Sequence, residues 1–100
     1  MNENAVAGAL GLAQKAGRLA SGDLAVRKNL KKGKAVLLLV AEDTSDNTRK
    51  ELLHLAEKAG VPVVTALTRE RLGAAMGKAP RASVAILDEG FAGLIRSKLS

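Results

Sequence analysis

Ala35 to Ala41, AVLLLVA, is apolar at every position and too short to span a bilayer. Such a run fits a strand covered on both faces by helices. Downstream, Glu42, Asp43, Thr44, Ser45 and Asp46 are rich in helix N-cap types, and a helix is predicted from this cluster to about Ala59. Leu52, Leu55, Ala56 and Ala59 form its core stripe, with His54 on the far side. Gly60 stops it and Pro62 lies just beyond. Val61 to Leu67 reads as a second apolar strand. Thr68 caps a short helix over Arg69 to Met76. The loop Gly77-Lys78-Ala79-Pro80-Arg81 leads into a third apolar strand, Ser83 to Leu87. Asp88 then caps a last helix whose buried side carries Phe91, Leu94, Ile95 and Leu99.

Upstream of the apolar run lies GRLASGDLAVRKNLKKGK, Gly17 to Lys34. It holds Arg18, Arg27, Lys28, Lys31, Lys32 and Lys34 against one acid, Asp23. Asp23 to Lys32 is predicted helical, with Gly33 as its C′ residue. On a helix turning about 100° per residue, Arg27, Lys28, Lys31 and Lys32 share an arc of about 140°. Val26 and Leu30 fall opposite and face a core. An ordinary solvated helix face interleaves acids with such lysines, and here they are missing. The basic arc also begins just after the Ser21-Gly22 turn, where free helix N–H groups can bind phosphate. Further upstream, Asn4 is expected to cap a first helix running to about Ala16, with Val6, Ala9, Leu10 and Ala13 at helical spacing. Gly8 and Gly11 weaken that helix and imply close packing against another element. A short strand over Arg18 to Ala20 precedes the turn. Alternating helices and buried strands give the expected fold: an α/β protein, a three-layer α/β/α sandwich with a mostly parallel mixed central sheet. One hundred residues without repeat or linker make residues 1–100 a single domain.

The net charge of +6 favours an anionic partner. Phe91 is the only aromatic residue, which argues against both a stacking platform for single strands and a membrane-surface helix. RNA binding must then use charge, helix ends, backbone groups and shape. The chain has no cysteine and one histidine, His54, so a disulfide framework and a thiolate metal site are excluded. The start, MNENAVAGALGLAQKAG, lacks the basic n-region of a signal peptide.

Glu42 and Asp43 stand where the central strand should end, the edge that carries ligands in open α/β sheets. They could bind a metal or act as acid and base. The plainer alternative is that these acids, with Thr44, Ser45 and Asp46, cap and favour the N-terminus of the next helix. Lys34 and Lys78 each follow a glycine, yet neither stretch has the G-x-x-x-x-G-K-[ST] pattern of a phosphate loop. Lys78 and Arg81 flank Ala79-Pro80, and would supply a second basic contact if the fold set this loop beside the Ser21-Gly22 turn.

Several segments carry a resemblance in order and spacing. They are GLAQKAGRLASG (Gly11 to Gly22), Lys28 with GKAVLLLVAEDTSDNT (Gly33 to Thr48), VPV (Val61 to Val63), LGAAMGKAPRASVAI (Leu72 to Ile86) and DEGFA (Asp88 to Ala92). Together they span nearly the whole chain. The pattern resembles the kink-turn RNA-binding ribosomal protein family, which includes the archaeal large-subunit protein seven-Ae and the eukaryotic protein thirty-e, and within it the bacterial YlxQ-like branch. The resemblance implies an α/β/α sandwich that binds structured RNA and has no enzymatic activity. It implies one RNA-contacting segment from Gly22 through Lys28, with Lys32 a turn further on, and a second from Lys78 through Arg81. Kink-turn binders of this family typically carry Asn or Lys and then Glu or Gln two and three residues after the glycine, where they read bases. This sequence has Leu24 and Ala25 there, while Lys28 matches the family lysine.

The expected function is therefore non-enzymatic binding of structured RNA, ribosomal RNA among the candidates, by a cytoplasmic monomer. No cofactor, metal, membrane or small-molecule substrate is expected. The expected contacts are Gly22, Asp23, Leu24, Arg27, Lys28, Lys31 and Lys32, joined by Lys78, Ala79, Pro80 and Arg81. The rival readings are a ribosome-associated protein-interaction module without kink-turn specificity, and a small nucleotide- or metal-binding enzyme using Glu42 and Asp43.

Overall fold

The structure, a computed structural model, describes residues 2–100. In chain order its elements are α1 (Glu3–Lys15), β1 (Leu19–Ser21), α2 (Asp23–Lys31), β2 (Leu37–Val40), α3 (Asp46–Ala59), β3 (Val63–Thr65), α4 (Arg69–Ala75), β4 (Ser83–Ile86) and α5 (Glu89–Leu99). Four of the helices start on a side-chain cap that accepts from a first-turn N–H: Asn2 for α1, Ser45 for α3, Thr68 for α4 and Asp88 for α5. The expected cap of α1, Asn4, lies inside the helix, because Asn2 already accepts from the Ala5 N–H at 3.1 Å. β2, β3 and β4 are shorter than the apolar runs that contain them, although Val36, Ala41 and Ala66 just outside them still donate backbone hydrogen bonds, to Ile86 O, Ala82 O and Val40 O. Ala59, expected in the core stripe of α3, is exposed in the last turn, while Leu52 and Ala56 are fully buried.

The strands form one sheet in the order β1-β4-β2-β3. It is mixed and lies between two helical layers, as expected of an α/β/α sandwich. Leu37 and Leu39 face a core completed by α1, α4 and α5. Leu38 and Val40 face a second core completed by Val26 and Leu30 of α2 and Leu52 and Ala56 of α3. The run AVLLLVA is apolar throughout because β2 is buried on both faces at every position.

The expectation of a mostly parallel sheet needs correcting at β4. Only β2 and β3 pair in parallel, while β4 is antiparallel to both β1 and β2. The cause is the connection between β3 and β4. The fourteen residues of α3 carry the chain back along the sheet by about 21 Å, so β3 can start beside β2. The seven residues of α4 advance only about 10 Å, and the following loop undoes even that. Lys78 N–H donates to Gly73 O at 2.9 Å and Arg81 N–H to Arg69 O at 3.0 Å, so the loop returns to the first residue of α4. The chain thus enters β4 from the sheet edge it left at β3, and β4 must run the other way.

Candidate nucleic-acid interface

The reversed strand decides which residues meet. Ser21, the last residue of β1, pairs with Val84, and Val40, the last residue of β2, pairs with Ser83. The end of β1 therefore lies beside the start of β4. In a parallel sheet these two points would fall on opposite edges. Here Gly22 and Asp23 share a cleft of about 270 Å³ with Pro80, Arg81, Ala82 and Ser83. Lys78 and Ala79 belong to the same loop but stand exposed outside the cleft walls.

Among the described helices, α2 alone begins without a side-chain cap. Its N-cap residue, Gly22, has φ 91 and ψ 145, a conformation that an L side chain would strain, and no side chain closes the first turn. The first-turn N–H groups therefore have no intrahelical or side-chain acceptor. From this end the basic arc runs along the outer face of α2. Leu24, Arg27, Lys28, Lys31 and Lys32 line one shallow groove, opposite the buried Val26 and Leu30. Leu24 is 83% exposed within it. Lys28, Lys31 and Lys32 form no ion pair among the described residues.

Arg27 differs from its neighbours. Its Nε donates to both carboxylate oxygens of Asp23, at 2.8 and 2.9 Å, and its Nη2 donates to Glu51 on α3 at 2.7 Å. The hydrogen bonds that Arg27 donates to Asp23, then to Glu51, hold its pKa above the ordinary value, against the opposing effect of burial. The acid missing from the local sequence is thus supplied by α3, and Arg27 ties the two helices together. Arg81 is also engaged. Its Nη1 donates to Ala79 O at 3.1 Å and Pro80 O at 3.2 Å, while its buried Nε has no hydrogen-bond partner.

Asp43 has a structural partner of its own: it accepts from Arg69 N–H at 2.8 Å, at the N-terminus of α4. The expected capping of the next helix holds at Ser45, which caps α3 with Asp46 in its first turn, while Asp43 instead serves the helix after it. The Arg49 guanidinium spans the same edge, donating to Ala41 O at 2.9 Å, Glu42 O at 3.2 Å and Thr65 Oγ1 at 3.3 Å. His54 lies exposed on α3.

One residue that shapes this surface escaped the sequence reading. A Cβ on Gly73 would sit 2.1 Å from Ala79 O and 2.7 Å from Ala79 C. The Lys78 to Arg81 loop lies against the bare backbone of α4 at this point. An interior helix glycine, unfavourable in itself, was the available signal. Gly11, which the sequence did flag, approaches Ala75 O at 3.4 Å by the same measure, whereas Gly8 faces open space.

The sequence profile of the Ribosomal protein L7Ae/L30e/S12e/Gadd45 family matches residues 4–95. The RNA-binding protein YlxQ of Bacillus subtilis (strain 168) is 38% identical over 90 residues, which cover 90% of each chain. Among solved structures, a protein of unknown function from Bacillus halodurans superposes with a TM-score of 0.83 at 33% identity, covering 91% of this chain and 96% of that one. The 15.5kD RNA binding protein of Giardia lamblia superposes with a TM-score of 0.76 at 20% identity, covering 96% and 82%, a likeness of fold.

Proposed function

The chain belongs to the Ribosomal protein L7Ae/L30e/S12e/Gadd45 family, and from that premise we propose that it is a non-enzymatic protein that binds structured RNA at the meeting point of α2 and the Lys78 to Arg81 loop. The observation that carries this reading is the cleft where Gly22 and Asp23 meet Pro80 and Arg81, continuous through Asp23 and Leu24 with the lysine-lined face of α2. The uncapped first turn of α2 offers N–H groups to a phosphate or base acceptor, and Lys28, Lys31 and Lys32 offer unpaired charge along the same face. Lys78 stands exposed beside the cleft and extends the positive surface. Arg27 and Arg81 shape the surface more than they contact RNA, because their guanidinium groups are spent on Asp23, Glu51 and the loop carbonyls.

Leu24 and Ala25 refine the proposal. Neither side chain can donate or accept a hydrogen bond, and base edges are read through such bonds while phosphate contacts carry little sequence information. The protein therefore binds kink-turn RNA with weak preference over other structured RNA. It acts as a monomer in the cytoplasm, with ribosomal RNA the leading partner. A gel-shift comparison of a kink-turn RNA with a plain duplex, repeated over a salt series, tests the reading. The expected result is binding to both, modest preference for the kink, and affinity that falls steeply with salt. Affinity that hardly responds to salt overturns the electrostatic mode.

A further inference from the structure

The seam between α2 and α3 carries two lysines: Lys31, already part of the basic face of α2, and Lys58 on α3, which lies outside that face. Leu30 and Lys31 of α2 line a groove of about 300 Å³ together with Leu55, Lys58 and Ala59 of α3. Lys31 also borders the groove that holds Leu24, Lys28 and Lys32, so the two grooves share a wall. One helical turn earlier, Arg27 and Glu51 bridge the same two helices, which neutralises the α3 carboxylate that reaches toward α2. Neither Lys31 nor Lys58 forms an ion pair among the described residues.

Two cations on one groove repel each other in the free protein, and an anion placed between them removes that repulsion. Leu30 and Leu55 supply an apolar floor, which offers no hydrogen bonds to read a base but tolerates the sugar edge of a backbone. The basic track then runs from the cleft at Gly22 along the full length of α2, about 14 Å for its nine residues. We propose that this seam extends the RNA surface and holds the sugar–phosphate backbone of a helix flanking the bound site, with Lys31 and Lys58 as its phosphate contacts. The proposal rests on the reading of α2 as an RNA-binding helix.

The test is filter binding across a salt series with two probes. One is a kink-turn RNA whose two flanking helices each extend a full turn. The other is the same RNA with both helices trimmed to the pairs beside the kink. Wild type is compared with Lys58→Ala, Lys28→Ala and Lys98→Ala; the last removes the same charge from α5, in the layer across the sheet. Thermal melting confirms that each variant folds. Lys58→Ala should flatten the slope of log K against log salt by about 0.7 to 0.9 on the long RNA and leave the trimmed RNA unaffected. Lys28→Ala should flatten it on both, and Lys98→Ala on neither. If Lys28→Ala acts and Lys58→Ala behaves like Lys98→Ala on the long RNA, the extension is wrong while the RNA-binding reading stands. If neither Lys28→Ala nor Lys58→Ala changes the slope on either RNA, the RNA-binding reading of α2 fails and the extension with it.

Discussion

Leu24 stands 83% exposed among lysines, where a buried leucine would stabilise the fold and a polar one would read RNA. It does neither, so replacing it costs the core nothing. Leu24→Asn combined with Ala25→Glu should add hydrogen-bonding groups beside the cleft and raise discrimination for a kink-turn over a control lacking the kink. A gain of about 1 kcal/mol is expected, the scale of one hydrogen bond to a charged partner. Competition binding at fixed salt measures it, and equal discrimination before and after the change would show that bases are read elsewhere. Arg27 makes a contrasting case. Its side chain is 26% exposed and bound to two carboxylates, so it adds little net charge to the face. Arg27→Ala should change the salt slope of RNA binding less than Lys28→Ala does, and should lower stability by up to about 1 kcal/mol through the lost bridge to α3. Because the bridge holds the Arg27 pKa up, its contribution is complete below the ordinary arginine range. It disappears only as pH rises through that higher value. Melting temperatures of wild type and Arg27→Ala should therefore differ by a constant amount between about pH 7 and pH 9. A difference that shrinks across that range contradicts the pairing.

Among the elements, α4 is held at both its start and its middle. It is short, its first N–H is held by Asp43, and its middle is overlaid by the loop it feeds. Gly73→Ala should force Ala79 away, lowering stability by about 1 to 3 kcal/mol as an overpacked site does. Any variant that still folds should bind RNA more weakly, because the loop no longer closes the cleft. Gly8→Ala is the internal control. Gly8 lies in the interior of α1 with open space around its Cβ position, so the change should stabilise the protein by about 0.5 to 1 kcal/mol. Urea unfolding of the two variants settles both signs, and a neutral Gly73→Ala would mean that the loop can lift off α4 at no cost.

At the scale of the whole molecule, most elements were legible because each is locally marked. AVLLLVA announced a strand buried on both faces, the cluster Glu42 to Asp46 together with Thr68 and Asp88 announced helix starts, and Gly33 and Gly60 announced stops with φ of 72° and 70°. The direction of β4 was not legible, since it depends on how far α4 and its loop travel together, and no single residue encodes a sum of displacements. The same holds for the pairing of Arg27 with Glu51, which joins residues 24 positions apart. Leu67 gives no sign in sequence of its left-handed φ of 64°. The basic segments were both visible as charge, but their convergence on one cleft follows from the antiparallel β4 and from the loop lying against α4. That convergence is the centre of the proposed function, and amide chemical-shift mapping during titration with a kink-turn RNA tests it most directly. The expected result is that amides of Gly22 to Lys32 and of Lys78 to Arg81 shift together along one binding curve, while Leu12 on α1 and Ser97 on α5, across the sheet, stay in place. Shifts confined to one of the two segments, or centred on the α1 and α5 layer, would contradict it.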